Sequence, residues 1–293
     1  MAAGAGAAPA AGAPQGSCTP ASAPRTIAYK QISGVPANLT SLDVWAPRRS
    51  CRPGGRRSPV VLWVHGGAYQ TGDKRNGVRN KVRAFNARGW VFVSVNYRLT
   101  RPGNPGSARY PDHFRDVAAA VAWTRAHISR SGGDPRRIAL LGHSAGADIV
   151  SNVTTNPRWL RERRLSLRAV RCAGPLDTAG FDKTRAAHSA AQSEQWRAAL
   201  GNHPGYKSDT SATLLARAGT GIPRTITVVR GTNLRRSIQT AFADALRRAR
   251  VRTSVIDASS LSHAEVSRRI GAPGDTVMTP PLMRFLGRCF DRG

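Results

Sequence analysis

Short apolar runs alternate with longer stretches of mixed polarity along most of this chain. Pro59-Val60-Val61-Leu62-Trp63-Val64 and Ile138-Ala139-Leu140-Leu141 are continuous apolar segments of strand length, the pattern of strands covered on both faces. Ala169 to Leu176, Thr225 to Arg230 and Thr253 to Asp257 read as further strands. Between them lie helical patterns at Val78 to Arg88, His113 to Arg130, Ala145 to Thr155, Ile238 to Arg250 and Pro281 to Phe290. Arg25 to Ile32 and Leu39 to Ala46 read as an opening antiparallel pair. Strands alternating with helices predict an α/β fold with a mostly parallel sheet of about eight strands and helices on both faces.

The alternation runs unbroken from Thr26 to Phe290, so one domain over residues 25–293 fits better than two. The connection from Thr178 to Ile222 is long and carries Trp196, several glycines and many small polar residues. It is expected to hold one helix and a small lid segment. Residues 1–24 are mostly Ala, Gly, Pro and Ser, with no charge and no large apolar residue after Met1. Such a stretch buries too little surface to fold and is expected to be a disordered tail. It does not read as an intact signal peptide, since a basic start and a Leu-rich core are missing. No run is long and apolar enough to span a membrane.

Two motifs stand at the ends of apolar runs. Gly142-His143-Ser144-Ala145-Gly146 follows Ile138 to Leu141 and precedes a helical stretch. A serine on so sharp a strand-to-helix turn needs small residues around it, and the pattern is that of a nucleophile elbow. His65-Gly66-Gly67-Ala68 follows the run ending at Val64. Its glycines let the backbone approach a ligand closely, so N–H groups of Gly66 and Gly67 are expected to join that of Ala145 in an oxyanion hole. His65 reads as a brace for the loop.

Val64-His65-Gly66-Gly67-Ala68-Tyr69, Val93-Ser94-Val95-Asn96-Tyr97-Arg98-Leu99, Tyr110-Pro111-Asp112 and Gly142 to Ala147 together resemble the α/β-hydrolase esterases. The nearest branch is the carboxylesterase, hormone-sensitive-lipase and feruloyl/acetyl-xylan esterase-like group, which includes kynurenine formamidases. The resemblance is specific between residues 59 and 153 and looser beyond. It implies Ser144 as nucleophile, and His263, in the loop after the strand ending at Asp257, as general base. His113, His127, His188 and His203 read as surface residues, and His143 as packing beside the nucleophile. The resemblance also implies an Asp after the seventh strand, in a pattern like G-T-x-D. Here Gly231-Thr232-Asn233-Leu234-Arg235-Arg236 has no carboxylate. Asp177, at the end of the sixth strand, is the first candidate for the acid, followed by Asp182 and Asp257; Asp244 lies inside the next helix.

Cys18, Cys51, Cys172 and Cys289 are compatible with two disulfides in three pairings, and so with a secreted protein; Cys172 also reads as a plain buried thiol. No C-x-x-C or Cys/His spacing suggests a metal, and the chemistry implied requires no cofactor. The chain carries 45 Lys and Arg against 16 Asp and Glu, a net charge of +29. Basic clusters at Arg48 to Arg57, Arg158 to Arg171 and Arg247 to Arg252 lack aromatic interleaving or a nucleic-acid motif. They imply non-specific affinity for polyanions and no specific nucleic-acid partner. The sequence thus predicts a serine hydrolase cleaving a small-molecule carboxylic ester. Amide or formamide hydrolysis is the alternative within the fold. A catalytically weak hydrolase-fold protein that binds polyanions is the alternative outside enzymology.

Overall fold

The apolar runs form strands. In a computed structural model, β1 (Arg25–Ala28), β2 (Ser41–Trp45), β3 (Ser58–Val64), β4 (Val91–Val95), β5 (Gly133–His143), β6 (Cys172–Leu176), β7 (Arg224–Val229) and β8 (Thr253–Asp257) make one sheet, ordered β1-β2-β4-β3-β5-β6-β7-β8. The structure describes residues 23–48, 51, 56–185, 188–201 and 205–291. β1 pairs antiparallel with β2, and β2 with β4; every other pairing is parallel. The expected tail lies outside the described residues apart from Ala23 and Pro24.

The helices are α1 (Arg79–Ala87), α2 (Asp112–His127), α3 (Ala145–Thr155), α4 (Pro157–Arg161), α5 (Ala190–Leu200), α6 (Tyr206–Asp209), α7 (Ala212–Leu215), α8 (Asn233–Arg248), α9 (His263–Arg268) and α10 (Thr279–Phe290). Alternate strand residues feed two cores. Val60, Leu62, Val64, Ile138 and Leu140 meet α2 and α3 on one face. Val61, Trp63, Ala139 and Leu141 meet α1, α9 and α10 on the other. Strands buried on both faces are what continuous apolar runs encode. α8 begins five residues before its predicted start. The Thr232 side chain accepts a hydrogen bond from the Arg235 N–H, an N-cap that moves the helix start upstream of its apolar positions.

The buried-thiol reading of Cys172 is corrected. Cys172 and Cys289 form a disulfide with Cα atoms 6.4 Å apart. The pleat points Cys172 to the face covered by α10, and Cys289 lies on the buried side of that helix. The bridge joins the start of β6 to the end of α10, and Cys51 is disulfide-bonded as well. Among the described residues, no helix is long and apolar enough to cross a membrane. Among the described residues, the stretch 178–222, expected to hold one helix and a small lid segment, contains α5, α6 and α7.

Candidate active site

Parallel strands bring their C-terminal ends to one edge of the sheet, and the chemistry-bearing loops follow β3, β5, β6 and β8. Ser144 follows β5 directly, with φ 57° and ψ −123°, a conformation that strains an L-residue. Two glycines make that turn possible. A Cβ on Gly142 would lie 2.4 Å from the Gly146 carbonyl oxygen, and one on Gly146 would lie 2.3 Å from that of Val64. The helix and both strands therefore touch backbone to backbone around the serine.

Register does the next step. His143 pairs with Leu176 across β5 and β6, so Ser144 and Asp177 are the next residues on neighbouring strands. Asp177 also has positive φ, 60°, and the Ser144 N–H donates to the Leu176 carbonyl at 3.3 Å. His263 opens α9, behind a capping box in which Ser262 and Glu265 each bond the other's backbone N–H. Its Nε2 lies 2.9 Å from Ser144 Oγ and its Nδ1 lies 2.6 Å from Asp177 Oδ2. The three side chains form a continuous hydrogen-bonded chain. The imidazole is 43% exposed while the carboxylate is fully buried, so the ring faces the solvent-accessible side.

Asp177 is held from several directions. Arg230 Nη1 donates to Oδ2 at 3.0 Å, Arg235 Nε to Oδ1 at 2.7 Å, and Gln239 Nε2 to Oδ1 at 2.8 Å. Arg235 Nη2 reaches the Asp177 carbonyl at 3.2 Å and comes within 3.3 Å of His263 Nδ1. Burial alone would raise the carboxyl, but the hydrogen bond from His263 and the Arg235 charge outweigh it and hold Asp177 well below the usual carboxylate range. The β7 loop, where the resemblance implied an acid, thus supplies arginines that hold an acid from β6. Arg230 also donates to the Leu261 carbonyl at 2.9 Å, tying β7 to the loop that carries His263.

The His143 ring lies against that of His263, centroids 4.5 Å apart and planes tilted by 34°, and its Nε2–H donates to the His263 carbonyl at 2.8 Å. Burial, with the neighbouring His263, pushes His143 down to about 3, so it stays neutral. It positions the His263 backbone. Sequence reading placed His143 beside the nucleophile but had no signal for this bond. His143, Asp177 and His263 cluster as a metal site would. However, His143 spends Nε2 on a carbonyl and Asp177 already faces two guanidinium groups, so a further cation would meet surplus positive charge.

On the β3 loop, a Cβ on Gly66 would lie 2.9 Å from Ser144 Cβ, which puts this backbone against Ser144. Gly67, Ala68 and Tyr69 all have positive φ, turning the loop around Ser144. The Ala145 N–H is the first of α3 and has no partner within the helix. Two cavities meet at Ser144 and His263. One, about 320 Å³, lies against α5 and is walled by Tyr69, Ala145, Thr178, Gln192, Gln195, Trp196 and Arg235. The other, about 640 Å³ and more open, is lined by Trp63, the 65–72 loop, His143, Ala264 and Ser267. Behind the first, a buried Asp148 accepts from Tyr69 at 2.5 Å and Lys183 at 2.7 Å.

The other candidates are placed elsewhere. Asp182 accepts from Thr184, and Asp257, exposed, caps Ser259. Asp244 pairs with Arg247 at the surface. His65 stacks on Tyr97 at 4.5 Å with Nδ1 2.7 Å from the Gly66 carbonyl, the geometry of a brace. His113 is a correction. It is fully buried beside Tyr69, with Nε2 3.1 Å from Thr100 Oγ1, because the start of α2 turns inward. His127 and His188 are half-buried, and His203 lies outside the described residues.

A family model described as "Carboxylesterase family" matches residues 15–216. The match takes in the β3 loop, Ser144 and Asp177 and ends before Arg230, Arg235 and His263. The probable carboxylic ester hydrolase LipM of Mycobacterium tuberculosis is 40% identical over 116 residues, which cover 40% of this chain and 25% of LipM. The chain thus spans about a quarter of that relative's length. Among solved structures, the propionate-bound esterase Est2 of Thermogutta terrifontis has a TM-score of 0.67 at 20% identity, covering 94% of each chain. Esterase B of Lactobacillus rhamnosis, inhibited by a tributyrin phosphonate, has a TM-score of 0.71 at 16% identity, covering 92% of this chain and 87% of its own. These two likenesses establish the α/β-hydrolase fold.

Proposed function

The chain belongs to the carboxylesterase family, and from that premise we propose that it hydrolyses carboxylic esters through an acyl-enzyme on Ser144. The observation that carries the reading is the chain of contacts from Ser144 through His263 to Asp177, at 2.9 and 2.6 Å. Ser144 Oγ–H donates to His263 Nε2, and His263 Nδ1–H donates to Asp177. As Oγ attacks the ester carbonyl, the imidazole takes the proton, and Asp177 stabilises the imidazolium. N–H groups of Gly66, Gly67 and Ala145 receive the developing oxyanion, with the N-terminus of α3 behind them. His263 then returns the proton to the leaving alcohol, and water repeats the sequence on the acyl-enzyme. The segment 178–222 serves as one wall of the site through α5.

The polyanion-binding alternative rests on the missing carboxylate after Thr232 and on the net charge of +29, and Asp177 facing His263 answers the first of these. The Cys172–Cys289 disulfide supports an oxidising, extracytoplasmic location. The test is turnover of a p-nitrophenyl ester series by wild type and Ser144→Ala, with fluorophosphonate labelling alongside. Turnover and labelling that both vanish in the variant are expected. Equal turnover in the two proteins overturns the proposal.

A further inference from the structure

The charges around Asp177 do not cancel. One carboxylate faces two guanidinium groups, Arg230 at 3.0 Å and Arg235 at 2.7 Å. Asp148, the acid that lines the α5 cavity, is balanced by Lys183 at 2.7 Å, with both side chains buried. The wall of this cavity therefore carries a surplus positive charge, and Arg235 is the group that presents it. Its side chain is 21% exposed, and its Nη1 makes no hydrogen bond among the described residues. Gln195 and Gln192 face the same space from one side of α5; Gln192 donates to Gln195 Oε1 at 3.3 Å, which leaves the Gln195 amide N–H groups to a ligand. A hydrocarbon tail here would bury a guanidinium against methylenes, which is unfavourable. An anion would accept a charge-assisted hydrogen bond from the free Nη1.

The two cavities also differ in what they can receive. The open one borders α9 through His263, Ala264 and Ser267, on the side where the imidazole must return its proton to the leaving alcohol. The α5 cavity borders the start of α3 and is left for the acyl half. Building on the ester-hydrolase reading, we propose that Arg235 and Gln195 form an anion subsite in the acyl cavity, so that the preferred substrate is the ester of a short dicarboxylic acid or a similarly anionic acyl group. Arg235 thereby determines specificity besides holding Asp177.

The test compares monomethyl succinate, whose acyl half carries a carboxylate, with methyl butyrate, by methanol release in the full-length protein. The expected ratio of kcat/KM, charged over neutral, is about tenfold or more in wild type, as a modest charge-assisted contact provides. Arg235→Met should bring the ratio to about one, and Gln195→Glu should lower it by about tenfold. A purely structural role for Arg235 would depress both esters together and leave the ratio in place. Ser144-dependent turnover of methyl butyrate with a wild-type ratio at or below one overturns the subsite alone. So does a ratio that Arg235→Met fails to move. Absence of Ser144-dependent turnover on both esters overturns the hydrolase reading itself.

Discussion

The strand–turn–helix half of the site, Ser58 to Thr155, and the acid–base half, Cys172 to Arg268, place their functional atoms by different means. In the first half the fixing contacts are backbone to backbone. Gly66, Gly142 and Gly146 are pressed so closely that a single Cβ would collide with main-chain or Ser144 atoms. In the second half they are side chain to side chain. Asp177 is reached by Arg230, Arg235, Gln239 and His263, which lie 53, 58, 62 and 86 residues away in the sequence. A position held by sterics demands particular small residues at fixed spacing. A position held by charge and hydrogen bonds can draw its donors from any segment the fold brings near.

The sharpest break of that contrast is Asp177→Asn. The amide keeps the shape and one acceptor but forfeits the charge that orients and stabilises His263. Turnover should fall by roughly four orders of magnitude, about 5 kcal/mol of barrier. Asp182→Asn and Asp257→Asn should stay near wild type, since their partners are Thr184 and Ser259. Steady-state kinetics on one neutral ester decides the matter. A mild Asp177→Asn defect would mean that the arginine-rich second half operates without its acid.

This contrast also explains what the sequence made legible. The helix at Ala145 to Thr155 and the strand at Thr253 to Asp257 have the bounds read from their patterns, because apolar periodicity and the elbow glycines are local signals. Asp177 could be singled out as the residue ending an apolar run, and the β5–β6 register gives that position its meaning. Arg230, Arg235 and Gln239 left no such trace, for in a chain with so many basic residues two more arginines carry no information. Thr232 as an N-cap was readable and would have moved the start of α8 upstream, putting Arg235 on its first turn. The inward turn of His113 and the pairing of Cys172 with Cys289 depend on which face each element buries, a tertiary fact.

A smaller effect is expected from the backbone half. In Gly142→Ala the added methyl meets the Gly146 carbonyl oxygen at 2.4 Å and the Val150 side chain at 2.9 Å. The wall of α3 must part from β5, which overpacks a fully buried helix and should destabilise the fold by about 2–3 kcal/mol. Chemical denaturation should show a lower midpoint with an unchanged m-value. An unchanged midpoint would mean the elbow is softer than its contacts imply.

The smallest effect probes the seam between the halves. Lys81, on α1, is fully buried; its ammonium donates to the carbonyl of Ser267 on α9 at 2.7 Å and lies 4.6 Å from the centre of the Trp63 ring. Burial pushes Lys81 down to about 7 from 10.5. Between those values the unfolded chain holds the proton more tightly than the folded one, so folding stability must rise with pH across that window. Below the folded value both states are protonated and the penalty for a buried charge is complete. Lys81→Met removes the titration, along with three hydrogen bonds whose loss is independent of pH. Wild type should therefore gain about 1 kcal/mol of stability relative to Lys81→Met between pH 7 and pH 8. Paired urea titrations at the two pH values read the difference directly. A gap that stays constant would mean that the carbonyl oxygens of Gly77 and Ser267 keep the ammonium charged throughout, and that the seam, like the acid–base half, is held by electrostatics.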